Sequence, residues 1–162
     1  AIVEAGVVLQ ALHDAAEAQG LYFPLWFGAR GSAMIGGVLS TNAGGSNVVR
    51  YGSTRALCLG LEVVLPDGRI LNLMSELHKN NSGYDLRQMF IGAEGTLGVI
   101  TELTVRLWPL PAARLALRCA FPDVGSAAQA ATVVIAAARA IGPPLSALRT
   151  FCCMAIAMTT GM

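Results

Sequence analysis

Between Gly31 and Gly52 the chain reads GSAMIGGVLSTNAGGSNVVRYG, with six glycines and two asparagines among mostly short side chains. Glycine admits positive φ and lets other groups approach the main chain closely, and it loses more conformational entropy on ordering than any other residue. A dense glycine run between hydrophobic strands is therefore expected to form a loop whose main chain touches a ligand. N–H groups left bare in turns make a nest for an anion or for the polar edge of a ring. A second cluster, GAEGTLG, spans Gly92 to Gly98.

Neither cluster follows the common nucleotide patterns: no GxGxxG follows a strand and opens a helix, and the Walker pattern GxxxxGKS/T is absent. The net charge of +1 and the lack of a basic stripe exclude a nucleic-acid footprint. Only 13% of the residues are charged and 54% are hydrophobic, whereas about 25% charged is ordinary for a soluble domain. Such a chain is expected to have much of its surface covered by other protein, or to be a fragment of something larger. Alanine at position 1 points to a processed or truncated start, and AIVEAGV lacks the basic region of a signal peptide. No stretch reaches the roughly 20 apolar residues that span a bilayer. The richest, Ala127 to Ala138, reads as a buried helix. Cys58, Cys119, Cys152 and Cys153 match no zinc or redox spacing. Cys58 and Cys119 are expected in the core and reduced, and adjacent Cys152 and Cys153 are poorly placed for a disulfide.

Along the chain, Ile2 to Val7 reads as a strand, and Val8 to Gln19 as an amphipathic helix with Leu9, Leu12 and Ala16 on one face and Gly20 as its stop. LEVVL, Pro66-Asp67-Gly68 and RILNL spell a hairpin. Leu77 to Gly83 reads as a loop and Tyr84 to Phe90 as one or two helical turns. Val99 to Leu107 alternates, with Thr101, Leu103, Val105 and Leu107 on one side and Ile100, Glu102, Thr104 and Arg106 on the other, until Pro109 and Pro111 mark a boundary. Leu115, Leu117, Cys119 and Phe121 alternate again, a helix runs from about Ser126 to Ala140, and Gly142-Pro143-Pro144 closes it. This β-then-α order reads as the opening of a new α+β domain. The tail FCCMAIAMTTGM fits no pattern.

The run FPLWFGARGSAMIGGVLSTNAGGSNVVRYGSTRALCLGLEVVLPDGRIL, followed by NNSGYDLRQMFIGAEGTLGVITELTVRLWPLP, closely resembles the FAD-linked oxidases of the vanillyl-alcohol oxidase type. Within them it looks most like the D-lactate, glycolate and D-2-hydroxyglutarate dehydrogenase group, over roughly Ala1 to Pro111 and more weakly to Leu148. The resemblance implies an α+β fold: the second subdomain of a PCMH-type FAD-binding domain over residues 1–111, its C-terminal part only. The first βα unit of a cap domain would then follow over 112–150, and an aberrant or disordered tail over 151–162.

By the same resemblance the cofactor is FAD. One wall of its site would be Pro24, Gly31, Ser32, Ile35, Gly36, Gly37, Thr41, Asn42, Gly44, Gly45, Tyr51 and Gly52. The other would be Glu94, Gly95, Gly98, Val99 and Ile100. Main-chain amides would reach phosphate and ring oxygens through the glycines, with Ser32, Thr41 and Asn42 as side-chain donors if backbone groups do not suffice. The implied reaction oxidises a D-2-hydroxy acid by hydride transfer to the flavin, and a quinone, a cytochrome or an electron-transfer flavoprotein reoxidises it. The implied location is cytoplasmic, with the periphery of the inner membrane as the other option.

Three departures bear on this. The first FAD subdomain, with its pyrophosphate-gripping loop, normally precedes the region that starts here. The position after Gly37, commonly asparagine in relatives, is Val38. The histidine and acidic cluster that binds metal and substrate in the group lies downstream, so no catalytic base and no metal ligand is assigned. A reading from another class follows, a truncated, non-catalytic chain unable to hold FAD alone. Cell-wall precursor reductases of the same superfamily are a third reading, against which LPDG and SGYDL argue. Among single residues, His13 is expected at the surface or a cap and His78 in a solvated loop. Arg50 and Arg55 would either offset cofactor charge or form surface ion pairs. Tyr84 is expected as a core aromatic near the FAD loops.

Overall fold

Asp67 and Gly68 turn the chain back on itself: Gly68 takes φ 83°, and the Asp67 carboxylate accepts from the Arg69 N–H at 3.1 Å. The computed structural model describes residues 1–111, 119–140 and 156–158, and the chain divides into two units, Ala1–Leu110 and Pro111–Met162. The first unit runs β1 (Ile2–Glu4), α1 (Leu9–Glu17), β2 (Leu21–Tyr22), a 3-10 turn (Gly28–Gly31), α2 (Ile35–Ser40), α3 (Val48–Tyr51), α4 (Thr54–Leu57), β3 (Cys58–Val64), β4 (Ile70–Leu73), α5 (Arg87–Phe90), β5 (Val99–Val105) and β6 (Trp108–Pro109). Four of its strands form an antiparallel sheet in the order β1-β5-β3-β4, and β2 pairs with β6.

Cross-strand rows show which face of this sheet carries the core. Val3, Leu103, Leu61 and Leu73 stand side by side across the four strands, and Val3, Leu61 and Leu103 are buried. Each such buried aliphatic side chain contributes about 1.5–3 kcal/mol. The next row, on the opposite face, is Glu4, Glu102, Glu62 and Asn72. Three carboxylates on neighbouring strands repel one another.

Strict alternation along β5 does not survive. Glu62 pairs with Glu102 but Val63 pairs with Ile100, so Thr101 is an extra residue in a β-bulge. The bulge puts Ile100 on the same buried face as Leu103, where alternation predicts opposite faces. A second register shift lies between Cys58 and Gly60. The strand also ends at Val105 rather than Leu107, and Pro109 itself pairs with Leu21.

Helix α1 buries Leu9, Leu12, His13 and Ala16, an i, i+3, i+4, i+7 stripe, and Gly20 at φ 67° follows its end. His13 is therefore not a surface residue: its ring stacks on Trp26 at 5.1 Å and lies 6.2 Å from Phe23. The Arg30 guanidinium lies 4.2 Å from the same Trp26 ring.

The second unit contains β7 (Cys119–Phe121), α6 (Val124–Ala140) and β8 (Ile156–Met158), with β7 and β8 parallel. Helix α6 starts two residues before the expected Ser126. The Asp123 carboxylate accepts from the Ser126 N–H at 2.8 Å and so serves as N-cap. The helix is not wholly buried, since Val124 and Val133 are exposed. Cys119 lies in a strand as expected but is exposed, not in the core. Of the tail expected to be aberrant or disordered, Ile156–Met158 form β8. The other tail residues, with Leu115, Leu117 and Gly142-Pro143-Pro144, lie outside the described residues. Among the described residues no helix is long and apolar enough to cross a membrane.

The carboxylate row yields a test. Replacing Glu102 by glutamine removes repulsion from both neighbours and is expected to raise unfolding stability by about 0.2–1 kcal/mol. The gain should shrink in high salt. Urea denaturation of both chains at low and high ionic strength measures it.

Candidate functional site

The glycine run expected as a loop contains a helix. The Ile35 and Gly36 N–H groups donate to Val7 O at 2.9 Å and Ala5 O at 2.8 Å, which fixes the entry to α2. Ile35, Val38 and Leu39 then bury one face at i, i+3, i+4 spacing. Val38 thus serves the core. Gly36 is buried because a Cβ there would stand 2.6 Å from Ala5 Cβ; its N–H serves the helix–strand contact rather than a ligand. Gly45 likewise packs against Trp26, whose carbonyl would lie 2.6 Å from an added Cβ and accepts from the Ser46 N–H at 3.0 Å, but its own N–H has no acceptor among the described residues. Gly98 passes Val63 so closely that a Cβ would meet Val63 Cγ1 at 2.5 Å.

Other members of the expected set keep their main chain open. Gly31, Gly37, Gly44 and Gly95 are exposed, and nothing stands within 4 Å of an added Cβ at Gly31, Gly37 or Gly95. Among the described residues no group accepts from the N–H of Gly37, Gly44, Gly45 or Gly95. The side chains expected as donors make local or main-chain contacts. Ser32 Oγ donates to Ala29 O at 3.3 Å, and Thr41 Oγ1 donates to Gly37 O at 3.0 Å. Asn42 Oδ1 accepts from the Arg55 N–H at 3.0 Å. Pro24 is buried and its carbonyl accepts from Asn47 Nδ2 at 2.8 Å. Tyr51 is buried edge-on to Tyr22 and Trp108, followed by Gly52 at φ 83°. Ile35 and Ile100 belong to the core, while Glu94 and Val99 are exposed.

The two glycine clusters meet. A helix leaves its last carbonyls without partners inside the helix. In α2 the Leu39 and Ser40 carbonyls accept from the Gly92 N–H at 3.2 Å and the Glu94 N–H at 2.9 Å. The two glycine clusters are therefore joined through their main chains. The non-glycine residues with positive φ among the described residues, Asn42 at 48° and Glu94 at 54°, flank this join on either side. Such backbone strain clusters where a surface is shaped for a ligand.

Behind the join, the SGYDL segment is anchored by Arg87. Its guanidinium bonds the Asp85 carboxylate at 2.7 Å and donates to the Cys58 and Leu59 carbonyls at the β3 irregularity. The hydrogen bond from Arg87 holds the Asp85 carboxyl down to about 2, against the opposing effect of burial. Burial pushes the Cys58 thiol up to about 11, so it stays protonated and unreactive. Tyr84 is 98% exposed, not a core aromatic, and His78 is exposed in its loop. Arg50 lies over the Tyr51 ring at 5.4 Å. Arg55 bonds carbonyls rather than an acid, donating to Gln88 O at 2.9 Å, Gln88 Oε1 at 2.5 Å and Ile91 O. Asn47 and Gln88 were not expected to matter: Asn47 donates to Tyr22 and Pro24, more than 20 residues away, and Gln88, which also donates to Asp85 nearby, accepts from Arg55, 33 residues away. Among the described residues no group of three or more His, Cys, Asp or Glu is placed to hold a metal.

The Asp85 carboxyl sits below its unfolded value, about 3.9. Its contribution to stability is complete above that value and is lost as pH falls toward about 2. D85N is therefore expected to lose less of its urea midpoint than the parent chain as pH is lowered from 5 to about 2.5. Parallel denaturation curves across that range check it.

A family model described as an FAD binding domain matches residues 1–74. The chain is 54% identical over 110 residues to the mitochondrial D-2-hydroxyglutarate dehydrogenase of Bos taurus, covering 68% of this chain and 20% of that protein. It is 50% identical over 121 residues to the D-2-hydroxyglutarate dehydrogenase of Xanthomonas citri pv. viticola, covering 75% and 26%. The chain thus spans about a fifth to a quarter of these relatives' lengths. Among solved structures it superposes on an alkyldihydroxyacetonephosphate synthase with a TM-score of 0.60 at 25% identity, over 69% of this chain and 21% of that one.

Proposed function

The chain belongs to the FAD-linked oxidases of the vanillyl-alcohol oxidase type, and we propose that its two joined glycine segments form one wall of an FAD site in an enzyme that oxidises D-2-hydroxyglutarate. The observation that carries the reading is the join: Gly92 and Glu94 docked on the last carbonyls of α2, with the N–H groups of Gly37, Gly44, Gly45 and Gly95 left without a protein acceptor among the described residues. Free main-chain N–H groups suit the phosphate oxygens and ring carbonyls of FAD. The donors are backbone rather than Ser32 and Thr41, whose hydroxyl protons are already held. When bound, FAD supplies the two-electron acceptor that protein side chains lack.

The substrate follows from the relatives at 50–54% identity, each named for D-2-hydroxyglutarate; D-lactate and glycolate are the comparators. We assign the first unit to the C-terminal part of the FAD-binding domain and the second to the opening of the cap. The division after Leu110 and the family match within residues 1–74 support that assignment. Reoxidation falls to a quinone, a cytochrome or an electron-transfer flavoprotein. The part we give the joined segments is to bind and orient the cofactor.

Gly44 gives the test. Among the described residues its N–H has no acceptor, the residue is exposed, and an added Cβ meets only Val48 Cγ2, at 3.3 Å, on a side chain that is itself exposed and has room to shift. Gly44→Val is expected to weaken FAD binding by about tenfold or more while changing stability by no more than about 0.5 kcal/mol. Flavin fluorescence titration and urea denaturation measure the two quantities. Equal affinity in both chains would remove Gly44 from the site. In the assembled enzyme, bleaching of the flavin by D-2-hydroxyglutarate before D-lactate or glycolate supports the substrate, and no bleaching by any of them counts against the activity.

A further inference from the structure

We propose that Arg55 is a positioning residue that sets the second glycine segment against the first, and so decides how firmly the cofactor wall is held. The inference rests on the FAD reading above. Arg55 bonds both sides of the join. Its main-chain N–H donates to Asn42 Oδ1 at 3.0 Å, on the segment that leaves α2. Its guanidinium donates to Gln88 O at 2.9 Å, to Gln88 Oε1 at 2.5 Å and to Ile91 O, on the segment that leads into Gly92.

The packing there leaves no slack. A Cβ on Gly92, at φ 82°, would stand 3.3 Å from both Arg55 Nη2 and Asn42 Cβ. Asn42 and Glu94 are both held at positive φ, a conformation that costs energy, less for asparagine than for glutamate, and persists only where surrounding bonds hold it. The Asn42 Oδ1 bond restrains one of them. The guanidinium bonds to residues 88 and 91 restrain the approach to the other, whose N–H then reaches Ser40 O at 2.9 Å. A planar fork can hold the carbonyls of residues 88 and 91 at once, and a lysine ammonium, a point charge on a flexible stem, cannot reproduce that. With both terminal nitrogens bonded to the chain, Arg55 acts on the cofactor through the Gly92–Gly95 turn rather than by touching it.

The test uses the full chain with R55K and R55M, and R50M as a control outside the clamp. Amide hydrogen exchange is read at Gly92 and Glu94, which report the join, and at Leu61 and Leu103, which report the sheet. In R55K the exchange at Gly92 and Glu94 is expected to rise about tenfold or more with Leu61 and Leu103 unchanged. R50M should match the parent. Unchanged exchange at Gly92 and Glu94 in both Arg55 variants overturns the proposal. So does an equal rise at all four amides in both, which would make Arg55 a residue of global stability. FAD titration of the same chains separates the two readings. If the parent binds FAD, R55K should release it correspondingly faster. If the parent binds none, the cofactor reading fails for this chain, while the exchange result still decides the clamp.

Discussion

Strand β5 sits between β1 and β3, and most of the first unit depends on that insertion. Leu103 packs in one row with Val3 and Leu61, so the start of the chain and its central hairpin share a buried face only through a strand that arrives about forty residues after β3 begins. The insertion also delivers the second glycine cluster. Gly98 has to pass Val63 with no room for a side chain, and the residues just before it are thereby set beside the end of α2. The Ser40 carbonyl accepts from the Glu94 N–H, and the Leu39 carbonyl accepts from the Gly92 N–H as well as from that of Asn42. One sheet pairing thus produces both the core and the joined main-chain surface that we propose meets the cofactor.

That surface is chemically economical. The short polar side chains that would seem to be its donors are turned to local carbonyls, and Asn42 caps the chain at Arg55. The open groups are main-chain N–H groups on exposed Gly37, Gly44 and Gly95 and on Gly45 beside Trp26. A surface of this kind recognises an oxygen-rich ligand through geometry. Its quality therefore depends on how rigidly the segments are held, and the left-handed residues on both sides of the join, restrained by Arg55, belong to that requirement.

The glycines divide into two kinds that no pattern distinguishes in advance. Gly36, Gly45 and Gly98 let one part of the chain lie against another, at Ala5, Trp26 and Val63. Gly37, Gly44 and Gly95 keep an exposed main chain. Read along the chain, Gly36 and Gly37 are neighbours in one motif. In the fold they are adjacent positions of a helix, one turned to the core and the other to solvent. The helix itself was hidden, since its glycines argue against helix and only the contacts with Val7 and Ala5 hold its start. His13 shows the same limit: one histidine on a helix reads as surface until Trp26 and Phe23 come against it.

Local pattern carried the hairpin at Pro66–Gly68, the buried stripe of α1 and the α+β class, because turn chemistry and apolar spacing act between near neighbours. The ordered motifs from IGG to GAEGTLGVIT carried the family and its cofactor. The faces of β5 were decided only in the tertiary structure, because the bulge at Thr101 exists only where the strand meets β3. The join of the two glycine clusters, the strain at Asn42 and Glu94 and the reach of Arg55 to residues 88 and 91 were likewise decided there. Their partners lie far apart along the chain, and no residue carries a mark of what will stand opposite it until the sheet has closed.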